Sequence, residues 1–167
     1  AGLAYELGLT YERFGWQRFN GSLEWFLFRE KWEFANYVNR VTVEDLRRVI
    51  AACEKLKRAF EGAELHRAGA RQLRAEFVLT CEEIAHTCRR TRLRKLWLAA
   101  DPAKRNPEHE ELRAKKAVGL RGTFRVEMKK LRKEAKRLEK EYVRVWRGRN
   151  KESRLEDVRG EFQRLRR

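Results

Sequence analysis

The longest regular pattern of hydrophobic positions in the chain lies between Glu108 and Arg149. Its apolar residues recur at alternating steps of mostly three and four: Ala117, Phe124, Met128, Leu131, Ala135, Leu138, Tyr142 and Val145. This is the repeat of a helix that buries one stripe, and the residues between are almost all Lys, Arg and Glu. The pattern predicts one helix from Ala117 to Trp146, roughly 45 Å long, with the other helices lying against it.

Shorter patterns in the first third of the chain predict three more helices. The first covers Ala1–Phe14, and the second covers Leu23–Val38. Because the second is apolar nearly all round, we expect it to be the most buried element. The third begins at Thr42, where Asp45 three residues later completes a variant of the capping box, and it ends at Gly62.

The remaining patterns complete the predicted architecture. A fourth helix runs from about Arg71 to Ala100, and Ser153 with Glu156 forms the capping box of a last helix. Asp101–Pro107 contains both prolines and is the clear linker. The sequence therefore predicts an all-α bundle of about six helices around one long helix in the C-terminal half. The sequence predicts a single domain over residues 1–167, which the linker at 101–107 could divide into two parts.

Two of these helices have a predicted inner face. On the third helix the apolar stripe consists of Leu46, Val49, Ile50, Cys53, Leu56 and Phe60. On the fourth helix the inner face consists of Leu73, Phe77, Cys81, Ile84, Cys88 and Thr91. These residues should form the core with the long helix.

Few residues suggest catalysis or metal binding. Cys81 and Cys88 share a helix face but lie about 10 Å apart along the axis, and His86 points elsewhere, so no tetrahedral metal site follows. They are interpreted as two buried structural cysteines and a surface histidine. The acid pairs Glu44-Asp45 and Glu156-Asp157 lie in first turns of helices, where carboxylates are favoured by the dipole. The chain alone is predicted to be no enzyme and to need no metal or cofactor.

The composition of the chain indicates which class of partner and which cellular compartment to expect. Lys and Arg total 41 against 25 Asp and Glu, which gives a net charge of +16. Such an excess makes nucleic acid a candidate partner, although a solvated, Arg-rich helical surface is the other interpretation. The odd number of cysteines and the lack of a signal peptide or membrane-length apolar run predict a cytoplasmic protein without a membrane partner. Because the chain begins with Ala1 rather than Met, we expect it to be a piece of a longer protein.

The densest basic stretch defines the residues that would bind nucleic acid: Arg89, Arg90, Arg92, Arg94 and Lys95. On a helix these side chains spread over more than half the circumference, unlike a stripe that faces one groove. The long helix interleaves glutamates among its cations, which suits intrahelical pairs. Nucleic-acid binding is therefore kept as the alternative function.

Two short stretches carry a resemblance to a known family. The first consists of Leu7-Gly8-Leu9-Thr10-Tyr11 with Trp16, Asn20 and Ser22. The second consists of Tyr142, Trp146, Arg149-Asn150-Lys151 and Ser153-Arg154-Leu155-Glu156. Together they resemble the two ends of a helical domain that follows the catalytic barrel in some bacterial family 20 glycoside hydrolases, the β-N-acetylhexosaminidases and their relatives. Arg154 stands where many relatives have Gly.

The resemblance implies a non-catalytic C-terminal accessory domain of such a hydrolase. It would pack on the catalytic barrel of the same or another chain, or on a dimer partner, and the family's catalytic Asp-Glu pair has no counterpart here. The residues expected at that interface are Trp16, Asn20, Trp146, Arg149 and Asn150. Trp146 could equally be the last core residue of its helix and Asn150 a helix stop. A homodimer formed through the long helix is a further interpretation.

Overall fold

The elements of the protein are α-helices throughout the part that can be described. The computed structural model describes residues 2–10, 41–64, 66, 68–100, 120–148 and 155–166. Its helices are α1 (Gly2–Gly8), α2 (Val43–Glu61), α3 (Ala70–Ala100), α4 (Leu120–Arg147) and α5 (Leu155–Leu165). No strand occurs in these ranges, so the predicted all-α class is confirmed for them.

Two predicted elements of the bundle fall outside the described part of the chain. The predicted helix at 23–38 and the predicted linker at 101–107 lie outside the described residues, so the bundle of six stays a prediction. α3, with 31 residues, is at least as long as α4, with 28, so an arrangement around one long helix is not confirmed by the described residues. The first helix ends earlier than predicted, at Gly8, within the described range 2–10.

α2 begins with the capping box that the sequence predicts. The backbone N–H of Asp45 donates to Thr42 Oγ1 at 3.0 Å, and the backbone N–H of Thr42 donates to Asp45 Oδ2 at 3.0 Å. These bonds satisfy amides that the first turn leaves without helical partners. The acid pair Glu44-Asp45 therefore contributes its second member to helix capping, as the sequence predicts. At the other end, Gly62 caps the helix by donating to Arg58 O at 3.0 Å.

α2 and α3 pack antiparallel to each other. The chain reverses near Gly69, whose φ of +79° lies in the region that glycine adopts most readily. Phe60, near the end of α2, stacks on Phe77, near the start of α3, with ring centroids 4.6 Å apart. The buried residues that these two helices contribute to one core cluster are Leu46, Val49, Cys53, Leu56, Phe60, Cys81, Ile84, Ala85 and Cys88. The predicted burial of all three cysteines is confirmed.

α4 packs against another side of α3, and α5 lies against α4. Their shared core cluster consists of Leu79, Ala135, Leu138, Val145 and Phe162. Tyr142 of α4 tilts against Phe162 of α5, with ring centroids 5.8 Å apart. Most of the predicted seam of the long helix is thus confirmed as its buried face, although Ala117 lies outside the described residues.

Two predicted side-chain positions on α3 are wrong. Leu73 is 36% exposed, because it lies one turn before Phe77, which already faces the end of α2. His86 was predicted at the surface but is only 1% exposed. The reason is that α3 has two buried faces rather than one: Cys81 and Cys88 lie in the core shared with α2, while His86 meets α4.

Candidate functional site

A carboxylate of α4 lies between two cationic or polar side chains of α3. Glu134 Oε2 is 2.9 Å from His86 Nδ1, and Arg89 Nη2 donates to Glu134 Oε1 at 2.6 Å. His86 and Arg89 are three residues apart, so they share one face of α3. Because a carboxylate only accepts, His86 donates from Nδ1. Both oxygens of Glu134 are therefore used in holding α3 to α4.

A second carboxylate, that of Glu82, lies on α3 and binds one cation from each of the two neighbouring helices. Glu82 Oε1 accepts from Lys57 Nζ of α2 at 2.5 Å, and Glu82 Oε2 accepts from Arg137 Nη1 of α4 at 2.8 Å. Arg89 Nη1 also lies 3.5 Å from Glu54 Oε1 of α2. We name Glu54, Lys57, Glu82, His86, Arg89, Glu134 and Arg137 the interhelix charge network. It connects α2, α3 and α4 at one level of the bundle.

The network keeps its two central carboxylates ionised. Burial alone would raise the pKa of Glu82, but hydrogen bonds and charge from Arg137 and Lys57 outweigh it, and the pKa is lowered. Burial likewise acts to raise the pKa of Glu134, while His86 and Arg89 lower it overall. A carboxylate that accepts such bonds is stabilised in its charged form.

The chemistry that the network supports is structural. A cavity of about 240 Å³ lies beside it and is also lined by Cys53 and Cys81. Within the described ranges, no group of three or more His, Cys, Asp or Glu is placed to hold a metal ion. Because each oxygen of Glu82 and Glu134 already accepts from a neighbouring helix, the arrangement fixes helix positions rather than presenting a base to a substrate.

The outer face of α4 carries charge of one sign. Its exposed charged side chains, among those described, are all basic: Arg125, Lys129, Lys130, Arg132, Lys133, Lys136, Arg137, Lys140, Arg144 and Arg147. The carboxylates of this helix are half-buried and paired, since Glu127 binds Lys130, Glu134 joins the interhelix charge network, Glu139 meets Arg166 and Glu141 binds Arg144. Among the described residues of α4, ten exposed cations therefore stand against four half-buried carboxylates.

A subset of these cations is aligned. At 3.6 residues per turn, seven of them fall in a sector of about 100° on the side of α4 opposite the buried Leu131 and Leu138. We name this set the α4 cationic stripe: Arg125, Lys129, Arg132, Lys133, Lys136, Lys140 and Arg147. Its length from first to last residue is roughly 33 Å. No carboxylate of α4 lies in that sector.

The basic residues that the sequence analysis selected on α3 differ in their surroundings in the structure. Arg89 belongs to the interhelix charge network, and Lys95 is only 4% exposed. Arg90, Arg92 and Arg94 are half-buried. These five residues do not form an exposed basic face, and their contact with nucleic acid stays a prediction.

One residue of the predicted hydrolase interface, Trp146, belongs to the described part of the chain. Trp16, Asn20, Arg149 and Asn150 lie outside the described residues. Trp146 is half-buried in the last turn of α4 and stacks on Tyr142, with ring centroids 5.7 Å apart. Its role at an interface stays a prediction.

Comparison of the chain with protein families, with curated proteins and with solved structures finds no match in any of the three. The described helices include none that combines the length and the apolarity needed to cross a membrane. The functional argument therefore rests on the geometry of the residues above.

Sequence reasoning missed both the interhelix charge network and the α4 cationic stripe. The stripe has a sequence signal, because its members recur mostly at steps of three and four, as those of the apolar seam do on the other side. Counting cations and carboxylates together along the helix concealed it. The network has no comparable signal, since its members come from three helices whose relative register the sequence does not give.

Proposed function

We propose that this helical domain binds nucleic acid through the α4 cationic stripe. The observation that carries the proposal is the alignment of seven exposed cations opposite the buried seam, with no carboxylate among them. A solvated helix face usually mixes both signs, so that neighbouring charges offset each other. A one-sign stripe instead produces a local potential that attracts a polyanion and displaces its counterions.

The dimensions of the stripe suit a nucleic-acid backbone. Most steps between successive cations are three or four residues, which places those cations roughly 4.5–6 Å apart along the helix axis. A stripe of about 33 Å runs beside about ten base pairs of duplex, at 3.4 Å per phosphate on each strand. Its long, exposed lysines such as Lys129, Lys133 and Lys136 can follow the phosphates without a fixed register.

The chemistry of the stripe favours contacts to phosphate over contacts to bases. None of the exposed residues described on α4 is aromatic, so this face offers no platform on which bases could stack. Lys and Arg bind phosphate oxygens irrespective of sequence. We therefore expect affinity for duplexes that varies little with base sequence.

Two triple variants test the proposal. Lys129→Gln, Lys133→Gln and Lys136→Gln together remove three charges from the stripe; Lys55→Gln, Arg58→Gln and Arg71→Gln remove three exposed charges from α2 and α3. In about 0.1 M salt, fluorescence anisotropy with a labelled 20-base-pair duplex should show the stripe variant binding on the order of a hundredfold more weakly. The control variant should lose far less. Equal losses in the two variants would refute a specific role for the stripe.

The accessory-domain hypothesis remains a separate prediction. It states that the chain is a non-catalytic helical domain of a β-N-acetylhexosaminidase-like hydrolase, packed on a barrel or a dimer partner. Of its five interface residues only Trp146 is described, and its half-buried ring is compatible with either a core or an interface role. Turnover of an aryl N-acetylglucosaminide by the chain alone would contradict it.

A further inference from the structure

A cavity between α3 and α4 combines aromatic rings with carboxylates. It has a volume of about 240 Å³, and its walls include Glu76, Leu79, Glu83, Tyr142, Val145 and Trp146. No Lys or Arg belongs to its lining among the described residues, although the chain carries a net charge of +16. The cavity is therefore a locally acidic, aromatic site in a strongly basic protein.

The two walls have different chemistry. On α4, Tyr142 and Trp146 are four residues apart and stack, with ring planes 19° from parallel. On α3, Glu76 and Glu83 are two turns apart, roughly 10 Å along the axis, with Leu79 between them. The two carboxylates and the two aromatic side chains are each half-buried, so a ligand can reach them.

The position of each wall is fixed by contacts between the helices. Gln72 Nε2 donates to Val145 O of α4 at 2.7 Å and also lies 3.1 Å from Glu76 Oε1. Glu83 is close enough to Tyr142 that its charge adds to the effect of burial in raising the pKa of the phenol. Negative potential from α3 thus reaches the aromatic wall on α4.

We propose that this cavity binds a guanidinium group, of the size and chemistry of an arginine side chain. A planar guanidinium stacks on an aromatic face and at the same time donates to a carboxylate, whereas an ammonium is a compact, strongly hydrated charge. The aliphatic stem of an arginine would lie on Leu79 and Val145. Most drug-sized ligands need a larger pocket than this one, which suits a single side chain.

This site is independent of the proposed nucleic-acid surface. Tyr142 and Val145 lie on the seam side of α4, about opposite the α4 cationic stripe. Loss of one binding activity therefore leaves the other testable.

The test uses N-acetyl-arginine methylamide and its uncharged isostere, N-acetyl-citrulline methylamide. The Trp146 indole N–H signal in ¹H–¹⁵N spectra, assigned by its loss in Trp146→Phe, should shift with the arginine compound and give a Kd on the order of 1 mM. The citrulline compound should bind at least about tenfold more weakly, since it lacks the charge. The matching lysine compound should bind less tightly than the arginine compound.

Two variants connect the binding to the cavity. Glu83→Gln should raise the Kd of the arginine compound about tenfold, and Glu76→Gln provides a second, independent loss from the same wall. Glu127→Gln removes the same charge from outside the cavity lining and should leave the Kd within about twofold. Equal binding of the arginine and citrulline compounds, or equal effects of Glu83→Gln and Glu127→Gln, would overturn the proposal.

Discussion

Glu134 is a charged side chain that is largely buried, so both of its carboxylate oxygens need hydrogen-bond partners. Its side chain is 23% exposed, and its neighbour His86 is 1% exposed, so both lose most of their contact with water on folding. The cost of that desolvation is offset only when hydrogen bonds satisfy the charge. His86 and Arg89 supply these bonds, one to each carboxylate oxygen. The pairing therefore stabilises the register between α3 and α4 as long as the carboxylate is present.

Replacing Glu134 by Gln should destabilise the protein by about 2 kcal/mol, because the amide places an NH2 donor opposite either His86 or Arg89 in place of an accepting oxygen. The free energy of unfolding from urea titration measures the loss. Glu127→Gln is the matched control on the same helix, since it removes a largely exposed pair with Lys130. That control should cost no more than about 0.5 kcal/mol. Equal costs would contradict a structural role for Glu134.

For individual residues, the sequence predicts helix caps better than it predicts which ionisable side chains are buried. Thr42 and Asp45 are neighbours along one helix, so their spacing alone defines the capping box that the structure contains. His86 has no such local pattern, and its burial depends on Glu134, which lies 48 residues away. Its predicted surface position was wrong because the partner comes from another helix.

At the scale of elements, the end of α4 is fixed by the beginning of α3. Gln72 Nε2 donates to Val145 O at 2.7 Å and so satisfies a carbonyl of the last turn of α4. A Cβ added at Gly148 would lie 2.5 Å from Gln72 Oε1. Gly148 therefore permits the close approach of the Gln72 amide. The amide is the end of a flexible side chain, so it can move, but only by giving up its hydrogen bond.

Gly148→Ala should therefore cost about 1 kcal/mol, the net value of the Gln72 bond. In a Gln72→Ala background the same substitution should cost close to nothing, because the clash and the bond are both already absent. A double-mutant cycle from urea unfolding measures this coupling. Additive effects of the two substitutions would show that the close approach does not limit position 148.

The periodicity of the sequence predicts helices well but not how many neighbours each one has. The spans of α3 and α4 agree with their predicted apolar patterns within a few residues. The sequence analysis gave α3 one inner face, whereas Cys81 lies in the core with α2 and Leu79 in the core with α4. Exposure of Leu73 follows from where α2 ends, which the pattern of α3 does not encode.

At the scale of the whole molecule, the stability should depend on pH in the acid range. Asp45 has a lowered pKa because the effect of its burial is outweighed by hydrogen bonds from Thr42 and by Arg48. The pKa values of Glu82 and Glu134 are lowered as well, from an ordinary value of 4.5. In the unfolded chain these groups bind protons at higher pH than in the folded protein. Their contribution is therefore complete above pH 4.5 and is lost as the pH falls through the folded pKa values.

We expect the urea midpoint to be nearly constant between pH 7 and 5 and to fall clearly by pH 3.5. The growing positive charge acts in the same direction, because more carboxylates become neutral. A Glu82→Gln variant should start less stable and lose less between pH 5 and 3.5, while Glu127→Gln should follow the wild-type curve. A midpoint that is unchanged at pH 3.5 would contradict the lowered pKa values.

Part of the excess of basic residues is concentrated on one side of α4. The 41 Lys and Arg residues could have been scattered evenly, but α4 turns seven of them to one side. Two of its four carboxylates, Glu134 and Glu139, are used instead in pairs with the rest of the bundle. The same helix thus holds the bundle together on one face and presents a uniform positive charge on the other. Binding of nucleic acid is the function that this division supports best.

The most direct test is the salt dependence of duplex binding. For the wild-type protein, log K should fall linearly with log salt concentration, with a slope of about −4 to −6 if most of the seven stripe cations meet phosphates. The Lys129, Lys133 and Lys136 triple variant should have a slope shallower by about 3, and the Lys55, Arg58 and Arg71 control should keep the wild-type slope. An identical slope in all three proteins would contradict the assignment of nucleic-acid binding to α4.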